Sequence, residues 1–165
     1  MKRLILLSLA SLALAACQSE TRTQRSQGPS FYASMANAGA VVDAQMARDM
    51  ISAYRRNNGL GPLTLDPDLQ AAAQAEAEAM AAADRPSSAD AFKSRLGSAG
   101  FSAPAANLSA GYHTLAEAFS GWRESAQHNR VLLDPQATRI GIATAYAPNS
   151  KYKVYWALAV ASSRR

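Results

Sequence analysis

The chain has 165 residues and a formal net charge of +5 at pH 7, a length that suits one domain. Its basic residues form no run and are not interleaved with aromatics, which argues against a nucleic-acid partner. A single cysteine excludes an intramolecular disulfide.

Lys2 and Arg3 precede an apolar run from Leu4 to Leu14, and Leu14-Ala15-Ala16-Cys17 follows. A positive start, an apolar centre and small residues make the layout of a signal peptide over residues 1–16. Small residues directly before a cysteine resemble a bacterial lipobox. That resemblance implies cleavage before Cys17 and lipid, palmitate included, on its thiol and new amine. The alternatives are an ordinary secretory signal with a stray cysteine, or an uncleaved anchor; the run is too short to span a bilayer comfortably. Two or three acyl chains anchor stably where one is marginal. Gln18 after the cysteine resembles proteins sent on to an outer membrane. The expected location is therefore the bacterial cell envelope, with the membrane as partner through Cys17 and the domain facing the periplasm. Cleavage would remove Lys2 and Arg3 and lower the net charge from +5 to about +3, a mild value.

Residues 17–39 are polar and small and read as the acylated cysteine and a flexible tether, with Phe31 and Tyr32 not expected to dock. A domain over 40–163 follows. Alanine is abundant in it and large apolar residues are sparse, so Ala-rich helices packed on something flatter are expected.

Val42, Met46, Met50 and Tyr54, with Ala47 and Ile51, predict a helix over about 41–57. Asp43, Arg48, Asp49, Arg55 and Arg56 are assigned to its outer face, and Asn57-Asn58-Gly59 stops it. Gly61 to Leu65 reads as a short extended link. Asp66-Pro67 then starts a second helix, with aspartate as cap and proline at the first helical position. Leu69, Ala73, Ala77 and Met80 form its inner stripe. Glu76 and Glu78 are two apart, point to different faces and are expected to be a solvated pair. After a break at 84–88, Ala91 to Ala99 reads as a short helix with Phe92 and Leu96 inward and Lys93 and Arg95 out. Phe101 to Ala106 reads as a loop.

Asn107, Ser109, Gly111 and Tyr112 read as a small polar loop folded over the next helix. Thr114 and Glu117 fit a capping box, and Leu115, Ala118, Phe119, Trp122 and Ala126 lie on one face. Ser125 and His128 neighbour each other if that helix continues. Ile140, Ile142, Thr144 and Tyr146 alternate with small residues at strand period. Tyr152 to Ala161 is nearly apolar throughout, as in a strand buried on both faces. The two strands predict an antiparallel hairpin covered by helices.

Five short motifs run in order across residues 40–160. Arg55 to Leu63 reads R-x-x-x-G-L-x-P-L. Leu69, Ala73, Ala77 and Met80 then give L-x-x-x-A-x-x-x-A-x-x-M, and Phe92, Arg95, Leu96, Ala99 and Gly100 give F-x-x-R-L-x-x-A-G. Trp122, Ser125 and His128 give W-x-x-S-x-x-H, and Ile140-Gly141-Ile142 gives I-G-I. Between them, Ala105 to Tyr112 answers G-E-N-I-x-x-G-Y. In this order they resemble the CAP superfamily (cysteine-rich secretory proteins, antigen five and pathogenesis-related proteins; SCP domains), most closely its small bacterial members. The resemblance implies an α/β fold, a three-layer α–β–α sandwich with a central antiparallel sheet.

Many members line a cleft with two histidines and two acids that can hold a divalent metal. Here Ser88 stands where the first histidine would be and Ala106 where the glutamate of G-E-N would be, while His128 keeps the second histidine. Glu124 sits two after Trp122 rather than three and is expected to point away. One imidazole cannot hold zinc, which needs three or four protein ligands, so neither a metal nor another cofactor is expected.

His128, Ser125, Asn107, Ser88 and Tyr112 are the candidate cleft residues. His128 reads either as a ligand contact that titrates near neutral pH or as a structural tie to Ser125 or Asn107. His113 is expected in solvent and Trp122 in the core. The leading expectation is a non-catalytic binder of a lipid-like ligand or an envelope protein. The alternative is an envelope hydrolase acting on peptide or cell-wall material through His128 and Ser125, with no acid placed by the sequence to orient the histidine.

Overall fold

Strand β5 (Val154–Ala161) is buried at every residue, because both faces of the sheet are covered by helices. The structure is a computed structural model and describes residues 30–164. The signal peptide, Cys17 and the start of the tether lie outside the described residues. The main sheet has the order β1-β4-β5-β3, with β1 (Thr64–Leu65), β3 (Ala105–Ala110) and β4 (Arg139–Tyr146). β4 and β5 form the expected antiparallel hairpin and β3 pairs antiparallel with β5. β1 runs parallel to β4, so the sheet is mixed, and the expected extended link at Gly61 to Leu65 ends in a strand. A small second sheet pairs β2 (Phe101–Ser102) with β6 (Ser163–Arg164).

Helices α1 (Ala44–Asn57), α4 (Leu115–Glu124) and α5 (Ala126–Leu132) cover one face, where Trp122, Ile140, Ile142, Trp156 and Leu158 form a core. Helices α2 (Pro67–Ala83) and α3 (Ala89–Ser98) cover the other, against Ala143, Tyr155, Ala157 and Ala159. This is the expected three-layer α–β–α sandwich. Asp66 caps α2 through the amides of Asp68 and Leu69, and the Thr114–Glu117 capping box closes α4. Gly141 lets α2 lie directly on β4: a Cβ there would come 2.3 Å from the backbone of Leu69. Above it, the Gln70 amide accepts from Ile142 N–H at 3.0 Å and donates to Ile142 C=O at 2.7 Å. That side chain replaces strand pairing where two-residue β1 has ended.

Five local expectations are corrected. Arg55 is buried, not on the outer face of α1; its guanidinium donates to the carbonyls of Gly61, Leu132, Asp134 and Ala137 at 2.9–3.0 Å. The bonds to Leu132 and Ala137 are buried, where an unpaired carbonyl is costly, and that offsets the cost of burying the cation. Glu76 is also buried and pairs with Arg95, while Glu78 is exposed beside Gln74. Residues 101–102 and 105–110 are strands rather than loop. The helix expected through Ala126 breaks at Ser125, whose backbone is extended, and Ala126 is exposed. The described part of the expected tether packs on the domain. Met35 is buried and its N–H donates to His113 C=O at 2.7 Å, Ser30 Oγ bonds the α1 cap Asp43 at 2.8 Å, and Phe31 joins the α1/α4 core.

Candidate functional site

The break between α4 and α5 builds the site. Ser125 ends α4 and caps α5: its Oγ accepts from the backbone N–H of His128 at 3.5 Å. His128 therefore sits in the first turn of a new helix, half-buried over the edge strand β3. Asn107 reaches across from β3, and its Nδ2 donates to His128 C=O at 3.0 Å. Two residues on, Ser109 Oγ accepts from Trp122 Nε1 at 3.1 Å. Trp122 stands edge-on to Trp156, with ring centroids 6.1 Å apart, and Trp156 Nε1 donates to Tyr112 C=O at 2.8 Å. The Tyr112 hydroxyl lies over Gly121, so close that a Cβ there would meet it at 2.0 Å. Tyr112 thus packs on α4, and both tryptophans are fully buried in the core.

Two buried polar atoms at this site have no hydrogen-bond partner: Asn107 Oδ1 and His128 Nδ1. Burial disfavours the imidazolium and lowers the His128 pKa from its usual value. A neutral imidazole can donate or accept a hydrogen bond at Nδ1, and an amide carbonyl offers an acceptor. They offer less to acyl transfer. Ser125 Oγ meets the backbone of His128 and serves as a helix cap. Among the described residues, no three His, Cys, Asp or Glu side chains gather.

Asn107, Ser125, His128 and Tyr112 thus belong to the α4/α5 face. Ser88 and Ala106 belong to the other one. Ser88 caps α3, accepting from Ala91 N–H at 3.3 Å, and Ala106 points into the α2/α3 core. The residues present do not fit a divalent metal, since Ser88 is engaged as a cap, Ala106 has no donor atom and His128 alone supplies an imidazole. His113 and Glu124 are exposed; Glu124 accepts from Ser120 on its own helix. Helical periodicity misses the burial of Glu76 and its pairing with the exposed Arg95. Arg95 does lie in the F-x-x-R-L motif, the one local signal available for it.

A family model, the cysteine-rich secretory protein family (CAP), matches residues 48–160. Comparison with curated proteins gives no match. Among solved structures, an extracellular protein containing an SCP domain from Bacillus anthracis is similar at TM-score 0.60 and 20% identity, over 73% of this chain and 40% of that one. A cysteine-rich secretory protein from Staphylococcus aureus gives 0.60 and 18%, over 73% and 38%. An outer surface protein from Borrelia burgdorferi gives 0.62 and 15%, over 73% and 92%. The chain matches about two fifths of the length of the first two. Motif order, the α–β–α sandwich and a family match across most of the domain agree: the chain belongs to the CAP family of cysteine-rich secretory proteins.

Proposed function

We propose that this chain is a lipid-anchored CAP-domain protein of the bacterial envelope, held at the outer membrane through Cys17, that binds a neutral or amphipathic ligand without turning it over. The anchor rests on the lipobox resemblance at Leu14 to Cys17. The location is supported further by the similar folds of an extracellular and an outer surface bacterial protein. The observation that carries the binding reading is the pair of unpartnered buried atoms, Asn107 Oδ1 and His128 Nδ1, beside a serine engaged as a helix cap. Buried polar groups ordinarily have partners, and a ligand hydroxyl or amide supplies one to each. The hydrolase reading needs a serine–imidazole bond and an orienting acid; among the described residues Ser125 Oγ instead accepts from the His128 backbone N–H.

Mass spectrometry of the protein purified from its own membranes tests both parts. The expected mature chain begins at an acylated Cys17, and Cys17→Ser abolishes that species. Under native conditions the expected ligand adduct is lost in His128→Ala and Asn107→Ala. A mature chain that begins elsewhere would remove the anchor, and an adduct retained equally by both variants would remove the site.

A further inference from the structure

On the opposite face of the sheet, α2 and α3 flank an open groove of about 560 Å³, within the size range of ligand sites. Ala72, Ala75 and Ala79 of α2 form one wall, and Phe92 and Leu96 of α3 the other. Alanine keeps that wall shallow. Into this apolar lining projects one carboxylate, Glu76, only 4% exposed. Its Oε2 pairs with Arg95, whereas its Oε1 is buried and has no hydrogen-bond partner. Arg95 reaches Glu76 from the rim. Its side chain is 57% exposed and its guanidinium lies 5.6 Å from the Phe92 ring centroid.

The asymmetry of this pair defines what the groove lacks. A buried carboxylate calls for donors on both oxygens, and Arg95 from outside satisfies one. An ammonium brought in on an apolar chain carries three donors and can reach both. The exposed Arg95 can turn into solvent as the ammonium arrives, so one ion pair replaces another and the groove stays electroneutral. A hydroxyl head would leave the carboxylate charge unmatched once Arg95 moves, and an anionic head would meet Glu76 directly. We propose that the α2–α3 groove is a binding site for an amphiphile with a primary ammonium head: the apolar chain lies along Ala72, Ala75, Phe92 and Leu96, and the ammonium displaces Arg95 from Glu76. This site lies in a different layer from His128 and does not depend on the function proposed above.

Isothermal titration of the full-length chain with octylamine, octanol and octanoate tests it. Octylamine is expected to bind at least tenfold more tightly than either of the others, because hydrogen bonds to a charged group carry that difference. Glu76→Gln is expected to erase the preference. Ala75→Trp, at an exposed position on the groove wall, is expected to weaken octylamine tenfold or more at unchanged melting temperature, and it serves as the test if Glu76→Gln unfolds the domain. His128→Ala is expected to bind octylamine normally. No octylamine binding, equal binding of the three probes, or full affinity in Ala75→Trp would each overturn the proposal.

Discussion

Asn107 Nδ2 donates to His128 C=O at 3.0 Å, tying the edge strand to the first turn of α5. That bond places the free Oδ1 of one residue at the helix turn that carries the free Nδ1 of the other. The serine–histidine proximity that suggests a nucleophile has a different physical content here. Ser125 Oγ accepts a backbone N–H and starts a helix. Ser125→Ala is therefore expected to cost about 0.5–2 kcal/mol, the range for losing an N-cap. Urea unfolding measures that cost, and ligand binding at His128 is expected to persist.

Arg55 is a buried cation with four backbone acceptors. Three of its four bonds close α1 onto the end of α5 and the segment before β4, the fourth holds the link at Gly61, and removing Arg55 strands the Leu132 and Ala137 carbonyls away from water. Arg55→Met is expected to destabilise the domain by about 3 kcal/mol or more. Arg55→Lys recovers only part of this, because an ammonium cannot span the same four acceptors. The midpoints of urea denaturation check both.

Gly141 is required by contact, not by conformation. Its missing Cβ is where the backbone of α2 crosses β4, with Leu69 and Gln70 atoms at 2.3–2.4 Å from the ideal position. Gly141→Ala is expected to cost about 1–3 kcal/mol through overpacking. It is also expected to loosen the Gln70–Ile142 bonds, read as faster amide exchange at Ile142.

Much of this architecture was legible in the sequence. Asp66-Pro67, the Thr114–Glu117 box, the β4 alternation and the apolar run of β5 announce themselves because local chemistry and tertiary packing agree there. β3 was not legible: Asn107 and Ser109 occupy core-facing positions, satisfied by His128 C=O and Trp122 Nε1, which hides the alternation. Arg55 and Glu76 look solvent-facing in the sequence because their partners lie 6–82 and 19 residues away, beyond any local pattern. The break at Ser125 was masked by an apolar spacing that continues to Ala126. Of the site, motif order joined Ser125 and His128. It could not show that Ser88 and Ala106 stand in the layer across the sheet.

Acid should weaken the domain through His128. Burial lowers its folded-state pKa below the usual 6.5, so unfolding takes up a proton once the pH falls below about that value. Stability is then lost from near pH 6.5 downward, through the folded-state pKa. Asp43, held low by its bond from the Met46 N–H, acts in a separate window: its contribution is present above about 3.8 and is lost as the pH falls through its own lowered value. Urea unfolding between pH 7.5 and 5 is expected to show a decline in the wild type that is smaller in His128→Gln.

The central claim is that the His128–Asn107 site binds rather than catalyses. A thermal shift of the full-length protein with envelope lipids that carry no ammonium head, run beside His128→Ala and Ala75→Trp, tests it most directly. A ligand at a hundred times its Kd adds about 2.7 kcal/mol, which raises the melting temperature by roughly 3–6 °C for a domain of this size. The account predicts that rise in the wild type and in Ala75→Trp, and its loss in His128→Ala. An equal rise in His128→Ala, or no rise at all, would contradict it.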